Sequence, residues 1–385
     1  MAYDFDRIIE RRFTGSEKWQ PVEHEDILPM PVADMDFASP PELLAALREK
    51  VEYGVFGYAQ PTQSLMETMV RMCADRYGWA IVPDWIVWLP GLVSGLNVTC
   101  RAVGEPGDAV LTMTPVYPPF LTAPAQMKRT VQKVPMRENG TRWDIDWTAL
   151  EEAVTPTTRL FLLCQPHNPM GMVFARADLE RLADFCARHD LILCSDEIHC
   201  DMILDDRRHE PTAALFPALA ERTITLMAPS KTYNVAGLGC AFAIIPNASL
   251  RRRFEAAKKG IVPQVTVFGY AACEAAYRYG EPWRKELLAY LRGNRDLVRQ
   301  ALRERLAPLR GYELDATYLA WIDARPLGLE DPVAWFRKHG IFLSDGRFFD
   351  APGFVRLNFG CPRALLEEGL RRMERAVKAA LSGQS

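Results

Sequence analysis

Short apolar runs alternate with amphipathic segments over the first three quarters of the chain. Such runs, bounded by turn-forming residues, predict buried strands, and an apolar period of about 3.6 residues predicts helices. The predicted strands are Trp85–Leu89, Ala109–Met113, Leu160–Cys164, Leu191–Ser195, Thr223–Met227 and Cys240–Ile245. The predicted helices cover residues 91–103, 116–127, 176–188 and 247–258. This alternation indicates an α/β fold with a mostly parallel sheet between helices.

The first helix is predicted to begin in the run Ser39-Pro40-Pro41-Glu42. Ser39 is the expected N-cap, Pro40 the first helical residue and Glu42 the partner that completes a capping box. Four apolar residues then recur on one face of the helix, which we expect to be buried. These are Leu43, Leu44, Leu47 and Val51.

The pattern changes after about residue 285. A long predicted helix from Pro282 to about Arg305 is followed by shorter strands and helices. These lie at Tyr318–Asp323, at Pro332–Lys338, at Phe354–Asn358 and from Pro362 onward. Such a succession is typical of a smaller α+β domain. We therefore predict a large domain of residues 46–284 and a small domain built from residues 1–45 and 285–385.

The chain has 385 residues, of which 49% are hydrophobic, so it can bury a large core. Its formal net charge is −3 with both signs mixed, which argues against nucleic acid or an anionic membrane as a partner. No apolar stretch is long enough to span a bilayer. The run Met1–Asp6 has neither the basic residues nor the apolar run of a signal peptide. We expect a cytoplasmic protein.

The nine cysteines show no paired spacing, and their number is odd. This favours free thiols in a reducing compartment over a disulfide framework. Cys194, His199 and Cys200 lie close together in sequence, but their spacing is unlike that of structural zinc sites. We therefore expect no metal site.

Polar residues that follow the predicted strands are the candidate site residues, because ligands of open α/β sheets bind at the carboxyl ends of strands. After the first strand, the run from Pro90 to Leu96 opens a helix with two glycines, whose backbone amides can bind an anion. A tight turn explains this run equally well. After the second strand, Tyr117 lies close to prolines and can stack on a planar ring, although a buried core tyrosine is the simpler interpretation.

Three later segments add an amide, a carboxylate and an amine. Asn168 lies in a loop with two X-Pro steps, which fix the orientation of its amide. Asp196 and His199 follow the fourth strand in an arrangement common in active sites, although a helix cap is the simpler interpretation. Lys231 follows the fifth strand among small residues. Desolvation there would lower the pKa of the lysine and allow Schiff-base chemistry.

In chain order, these features are a phosphate-binding turn, a stacking aromatic residue, an amide, a carboxylate and a lysine. This order resembles the class I/II aminotransferase superfamily over nearly the whole chain. Members of that superfamily are fold type I enzymes that depend on pyridoxal 5′-phosphate (PLP). The resemblance implies an α/β large domain with a mostly parallel sheet between helices, a smaller α+β domain, and PLP as the cofactor.

The resemblance also implies roles around the cofactor ring. Lys231 looks like the lysine that carries PLP as a Schiff base and later moves the Cα proton of the substrate. Asp196 would pair with the pyridinium nitrogen, so that the ring can act as an electron sink. Tyr117 would stack on the ring, and Asn168 with His199 would hydrogen-bond its 3′-oxygen.

Further implied roles concern the phosphate and the substrate. Ser230 and the backbone amides of Leu92 and Val93 would hold the phosphate. Tyr58 resembles a tyrosine that reaches the phosphate of the neighbouring subunit's cofactor, which implies a homodimer with sites at the subunit interface. Arg356 resembles the arginine that binds the α-carboxylate of an amino-acid substrate through two parallel hydrogen bonds.

Three segments resemble the MalY/PatB-type cystathionine β-lyases. These are Pro31–Phe37, Asp196–His199 and Ser230–Leu238. Ala33, in the first segment, and Asn168 are also expected to contact the substrate. The resemblance implies a carbon–sulfur β-lyase that cleaves cystathionine or other S-substituted cysteines to a thiol, pyruvate and ammonia.

Two other functions stay open. An aminotransferase would use the same cofactor and lysine but would require a 2-oxo acid acceptor. A regulatory protein that acts through a protein partner belongs to a different class, and the sequence carries no DNA-binding motif or basic stripe.

Four positions depart from the pattern of these enzymes. Pro31 replaces a usual tryptophan near the expected substrate entrance, and Gln165 replaces a common asparagine. Ala228 stands where a phosphate-binding serine is common, and Gly239 stands where an arginine often neutralises the phosphate. Phosphate binding is therefore expected to depend more on backbone amides and Tyr58.

Overall fold

The computed structural model describes residues 3–383. Its strands are β1 Leu28–Pro29, β2 Ile86–Leu89, β3 Ala109–Thr114, β4 Thr130–Pro135, β5 Arg137–Asn139, β6 Arg142–Asp144, β7 Thr158–Cys164, β8 Ile192–Asp196, β9 Thr223–Met227, β10 Ala241–Ile244, β11 Arg310–Gly311, β12 Leu319–Asp323, β13 Ile341–Phe342, β14 Ser344–Asp345 and β15 Phe354–Asn358. Its α-helices are α1 Pro41–Tyr53, α2 Gln63–Tyr77, α3 Leu92–Ala102, α4 Pro119–Gln126, α5 Trp147–Ala153, α6 Arg176–Arg188, α7 Thr212–Leu215, α8 Pro217–Ala220, α9 Ala248–Lys258, α10 Val267–Tyr279, α11 Glu281–Glu304, α12 Pro332–Lys338 and α13 Arg363–Leu381.

A seven-stranded sheet with the order β2-β10-β9-β8-β7-β3-β4 forms the centre of the fold. Strands β9, β8, β7, β3 and β4 pair in parallel, and β10 runs antiparallel to both β9 and β2. All six predicted strands are present, with ends shifted by two residues at most. The predicted α/β fold with a mostly parallel sheet is therefore confirmed.

Helices cover both faces of this sheet. In β7, Leu160 and Leu162 belong to one apolar core with α3 and α9, whereas the alternate residues Phe161 and Leu163 belong to a second core with α5 and α6. Successive side chains of a strand point to opposite faces, so the two cores lie on opposite sides of the sheet. Every residue of β3 and β9 is buried, as expected for central parallel strands.

The predicted start of the first helix is wrong. Helix α1 begins at Pro41 with Pro40 as its N-cap, and the Ser39 hydroxyl instead donates to the Asn234 carbonyl oxygen at 3.3 Å. The predicted apolar face is buried only at Leu43, and Val51 is 59% exposed. A partner distant in sequence has replaced the local cap.

A four-stranded antiparallel sheet with the order β11-β12-β15-β14 forms a second unit, and α11 and α13 share an apolar core with it. The helices and strands predicted after residue 285 are all present. Helices α1 and α11 run across the predicted domain boundaries, and the division into 46–284 and 1–45 with 285–385 stays a prediction. Residues 1–2 and 384–385 lie outside the described residues. Between residues 3 and 383, no helix is both long enough and apolar enough to cross a bilayer.

The segment Val32–Phe37 is held against both sheets by two asparagine side chains. Asn234 donates to the carbonyl oxygens of Met35 at 2.9 Å and Phe37 at 2.8 Å, and it accepts from the Met35 amide. Asn358, at the end of β15, donates to the carbonyl oxygens of Val32 at 2.7 Å and Asp34 at 2.6 Å. The backbone of this segment is therefore fixed although it belongs to no helix or strand.

A buried ionic cluster holds the same segment to the N-terminal arm. Asp36 accepts from Lys18 at 2.5 Å, from Arg11 at 2.6 Å and from the Trp19 indole at 2.9 Å. Lys18 is 0% exposed, and Arg11 also pairs with Asp34 at 2.8 Å. Burying these charges is possible because each one has an opposite charge within hydrogen-bond distance.

We expect Asp36→Asn to lower the free energy of unfolding by about 3 kcal/mol or more, because it leaves the Lys18 ammonium buried without a carboxylate. Urea denaturation followed by tryptophan fluorescence measures this change. Glu25→Gln, which removes a half-exposed ion pair with Arg337, is the matched control and should leave the midpoint nearly unchanged. Equal midpoints for the two variants would contradict the expectation.

Candidate active site

A cavity of about 260 Å³, here called the inner cavity, lies at the carboxyl edge of the seven-stranded sheet. The predicted site residues that line it are Ala33, Leu92, Val93, Tyr117, Asn168, Asp196, His199, Ser230 and Lys231. They converge because the parallel strands β3, β7, β8 and β9 all end at this edge.

A second cavity of about 500 Å³, here called the outer cavity, adjoins the first. The two share Ala33, Tyr117 and Lys231 as lining residues, and the outer cavity adds Arg356 and Pro31. All predicted site residues except Tyr58 therefore lie around these two connected spaces.

Lys231 lies in the turn after β9, and its Nζ donates to the Ala33 carbonyl oxygen at 2.7 Å. Burial, together with the positive charge of Arg356, lowers the pKa of Lys231 to about 8. A substantial fraction of the amine is therefore neutral near physiological pH. A neutral amine can act as a nucleophile or accept a proton.

Asp196 is the last residue of β8, and one of its carboxylate oxygens accepts from the Ile198 amide at 3.1 Å. Within the described chain, Asp196 forms no ion pair. Burial, together with the negative charge of Glu197, raises the pKa of its carboxyl group to about 7. A cationic group brought by a ligand would stabilise the ionised form.

The loop after β7 fixes Asn168 relative to Tyr117. The backbone amide of Asn168 donates to the Cys164 sulfur at 3.4 Å. The backbone carbonyl oxygen of Asn168 accepts from the backbone amide of Tyr117 at 3.0 Å. Gly171 closes the loop with φ +68°, and a side chain there would come within 2.9 Å of Leu314. Only glycine fits this position, so the loop geometry follows from the sequence.

Arg356 lies in the middle of β15 and is only 4% exposed. Its guanidinium donates to the Asn168 side-chain oxygen at 2.8 Å and to the Ser344 hydroxyl at 3.2 Å, while its Nε has no partner. No carboxylate of residues 3–383 pairs with it, and burial lowers its pKa to about 10. A buried arginine with this geometry fits an anionic ligand such as a carboxylate.

His199 adds a second unpartnered polar group to the inner cavity. Its Nδ1 is buried and has no hydrogen-bond partner among the described residues. Burial, together with the positive charges of Lys231 and Arg356, lowers the pKa of His199 to about 3, so the ring is neutral at pH 7. A neutral imidazole can donate one hydrogen bond to a ligand or accept one from it.

The opposite end of the inner cavity is formed by the N-terminus of α3. The N-cap residue is Gly91, which offers no side chain to the first-turn amides, and Leu92, Val93 and Ser230 line the cavity there. Free amides at a helix N-terminus bind anions such as phosphate. Ala228 and Gly239 do not line the cavity, so the two departures from the usual phosphate residues lie outside it.

The structure does not bring Tyr58 to the other residues. Its side chain is fully exposed, and it lies beside a separate cavity that includes Phe56 and Phe268. Within one chain, Tyr58 therefore takes no part in the site.

Three residues near the site were not predicted. Tyr318 donates to the Ala33 carbonyl oxygen at 3.0 Å, beside Lys231, and Ser344 and Phe349 contact the Arg356 guanidinium. Tyr318 is the first residue of the predicted strand Tyr318–Asp323, but nothing local connects it to Ala33, which lies 285 residues away in sequence.

The groups that the inner cavity leaves unpartnered fit PLP. A pyridinium nitrogen supplies the cation that Asp196 lacks, a ring oxygen supplies a partner for His199, and a phosphate fits the N-terminus of α3. The flat ring fits beside Tyr117, and its aldehyde can react with the Lys231 amine.

Comparisons with known proteins agree with this chemistry. The sequence model of the family described as aminotransferase class I and II matches residues 25–373. The cystathionine beta-lyase PatB of Bacillus subtilis (strain 168) is 37% identical over 390 residues, which cover 98% of this chain and 100% of PatB.

Two solved structures have nearly the same fold. A crystal structure of OvoB has a TM-score of 0.95 and 45% sequence identity, and covers 98% of this chain and 100% of its own. Cystalysin from Treponema denticola, whose crystal structure contains pyridoxal 5′-phosphate, has a TM-score of 0.94 and 34% identity, with coverage of 98% and 99%. The chain therefore belongs to the class I and II aminotransferase family, and within it to the group that contains the cystathionine beta-lyase PatB.

Proposed function

We propose that this protein is a PLP-dependent carbon–sulfur β-lyase that cleaves cystathionine or other S-substituted cysteines to a thiol, pyruvate and ammonia. The observation that carries the proposal is the set of buried charges around two connected cavities. A lysine with a pKa of about 8 lies between a carboxyl group and an arginine, neither of which has an opposite charge of its own. The similarity to PatB over the full length supports the reaction type.

In this proposal, Lys231 carries the cofactor, Asp196 pairs with its ring nitrogen, and Tyr117 stacks on the ring. Asn168 and His199 hydrogen-bond the ring oxygen. When bound, PLP supplies an electron sink that stabilises the negative charge left at the substrate Cα. The phosphate is held by Ser230 and the amides of Leu92 and Val93, which compensates for Ala228 and Gly239.

The remaining residues act on the substrate. Arg356 binds the α-carboxylate, because its Nε and one terminal nitrogen can form two parallel hydrogen bonds. The Lys231 amine, released when the amino group of the substrate takes its place on the cofactor, would take the Cα proton, and the thiolate would then leave from Cβ. Ala33 contacts the substrate and, through its carbonyl oxygen, orients the Lys231 amine. The nine cysteines are all buried without a disulfide, which supports a reducing, cytoplasmic location.

We expect the purified, PLP-loaded protein to release pyruvate and a thiol from L-cystathionine without any 2-oxo acid. Lys231→Ala should lower the rate at least ~1000-fold, because it removes the base for the Cα proton. Lys285→Ala, which changes an exposed lysine, is the matched control and should keep the wild-type rate. Pyruvate is measured with a coupled dehydrogenase assay, and the thiol with a chromogenic reagent. Turnover that requires a 2-oxo acid would favour an aminotransferase instead.

In the cofactor-free protein, we expect acylation of Lys231 to be half-maximal near pH 8. Below this pH the amine is protonated and unreactive, and above it the neutral amine predominates. Mass spectrometry of the Lys231 peptide after brief labelling at a series of pH values measures this dependence. Arg356→Gln should move the midpoint to higher pH, since Arg356 lowers the pKa of Lys231, whereas Arg347→Gln should not. A wild-type midpoint above about pH 10, the ordinary range of lysine, would contradict the expectation.

We further propose that two copies of the chain form the active unit, with Tyr58 of each copy reaching the phosphate in the other. Large apolar side chains are exposed along residues 51–58, which is unusual for a surface that faces water. They are Val51, Tyr53, Val55, Phe56 and Tyr58. Phe56 and Phe268 lie 5.4 Å apart, so the exposed run continues onto α10.

Hybrid dimers test this arrangement. A dimer of one Tyr58→Phe chain and one Lys231→Ala chain should contain one native site and bind one equivalent of PLP with wild-type affinity. In the second hybrid, one chain carries both substitutions and the other carries none. This dimer should contain no native site, and its affinity for PLP should fall by about tenfold. The two chains are differently tagged so that each hybrid can be purified, and fluorescence titration with PLP measures the affinity of each hybrid. Native affinity in the second hybrid would show that Tyr58 acts within its own chain.

A further inference from the structure

The outer cavity is the space into which the sulfur substituent of a bound substrate must extend. Arg356 and Lys231 lie at its inner end, where the proposed function places the α-carboxylate and the Cα atom. The surrounding walls are mainly apolar. They are formed by Pro31, Val32, Val333, Phe342, Leu343 and Phe348. Such walls fit a chain of methylene groups or a ring.

Two carboxylates line the outer cavity, and only one of them is already paired. Asp345 accepts from the Arg347 amide at 2.8 Å and from its guanidinium at 2.7 Å, so its charge is compensated. Glu17 is exposed and has no hydrogen bond or ion pair with any residue from 3 to 383. Its charge is therefore available to a ligand.

Glu17 lies close enough to act on the reacting groups. Burial lowers the pKa of Lys231, and Glu17 is among the carboxylates that oppose this effect. Burial raises the pKa of Tyr117, and Glu17 contributes to that rise. Two other carboxylates also raise the pKa of Lys231. Asp34 is paired with Arg11 at 2.8 Å, and Asp196 lies in the inner cavity.

We infer that Glu17 binds a positively charged group at the far end of the sulfur substituent. This inference rests on the proposed function and names its substrate class as S-substituted cysteines with a cationic substituent, such as an ammonium group. The apolar walls weaken competition from water for the ion pair. A carboxylate in the same place would be repelled by Glu17. Among the described residues, no basic side chain other than Lys231 and Arg356 lines the outer cavity to bind it.

Three substrates of similar length distinguish the effect of the substituent's charge from the effect of its size. S-(2-aminoethyl)-L-cysteine ends in an ammonium group, S-propyl-L-cysteine in a methyl group of the same size, and S-carboxymethyl-L-cysteine in a carboxylate. We expect kcat/KM for pyruvate release to be about tenfold higher for the aminoethyl substrate than for the propyl substrate, and lowest for the carboxymethyl substrate. Because Glu17 is exposed, added salt should reduce the preference.

Glu17→Gln should lower kcat/KM for the aminoethyl substrate about tenfold more than it lowers kcat/KM for the propyl substrate. Glu10→Gln, which changes an exposed carboxylate outside the outer cavity, is the matched control and should change neither. Two results would overturn the inference without contradicting the β-lyase reaction. One is equal kcat/KM of the wild type for the aminoethyl and propyl substrates, and the other is an equal loss of kcat/KM for both in Glu17→Gln.

Binding to the PLP-loaded Lys231→Ala variant, measured by calorimetry, tests recognition apart from turnover. The aminoethyl compound should bind more tightly than the propyl compound, and Glu17→Gln should remove the difference. Absence of pyruvate from all three substrates would instead overturn the proposed reaction, and the binding order would then still decide the role of Glu17.

Discussion

The site depends on charges that the chain buries without opposite charges of its own. Asp196 and Arg356 are both buried with no ion pair in the described structure, and Lys231 lies between them with a depressed pKa. Such an arrangement is unfavourable for the folded chain alone, because a buried charge normally requires a partner. It becomes favourable when ligands supply a cation for Asp196 and an anion for Arg356. In the proposed function, the same feature gives the protein its affinity for PLP and for an amino acid.

Around the segment Val32–Phe37, buried charges are paired, and they stabilise this segment, which closes the site. The cluster of Asp34 and Asp36 with Lys18 and Arg11 leaves no charge unmatched, and it fixes the segment Val32–Phe37. That segment carries the Ala33 carbonyl oxygen, which accepts from Lys231. The ionic cluster therefore helps to position the Lys231 amine.

The division into an inner and an outer cavity separates chemistry from substrate choice. The inner cavity holds the groups that match PLP, so it accounts for the cofactor. The outer cavity is mainly apolar and contains Pro31 at the entrance and Glu17 without a partner. Changes at the outer cavity can therefore alter the preferred substituent on sulfur while Lys231, Asp196 and Arg356 stay the same.

The sequence by itself determined the central sheet and the residues at its carboxyl edge. Asn168, Asp196 and Lys231 follow buried strands directly, so covalent connection alone carries them to that edge. Strand β4 was not predicted, because it is an edge strand with mostly exposed or half-buried residues and a weak apolar pattern. Tertiary structure decided the rest. The Ser39 side chain caps no helix, Tyr318 donates a hydrogen bond to the Ala33 carbonyl oxygen, and Arg356 has no counter-ion among the described residues. These outcomes depend on contacts between residues far apart in sequence, which local patterns do not encode.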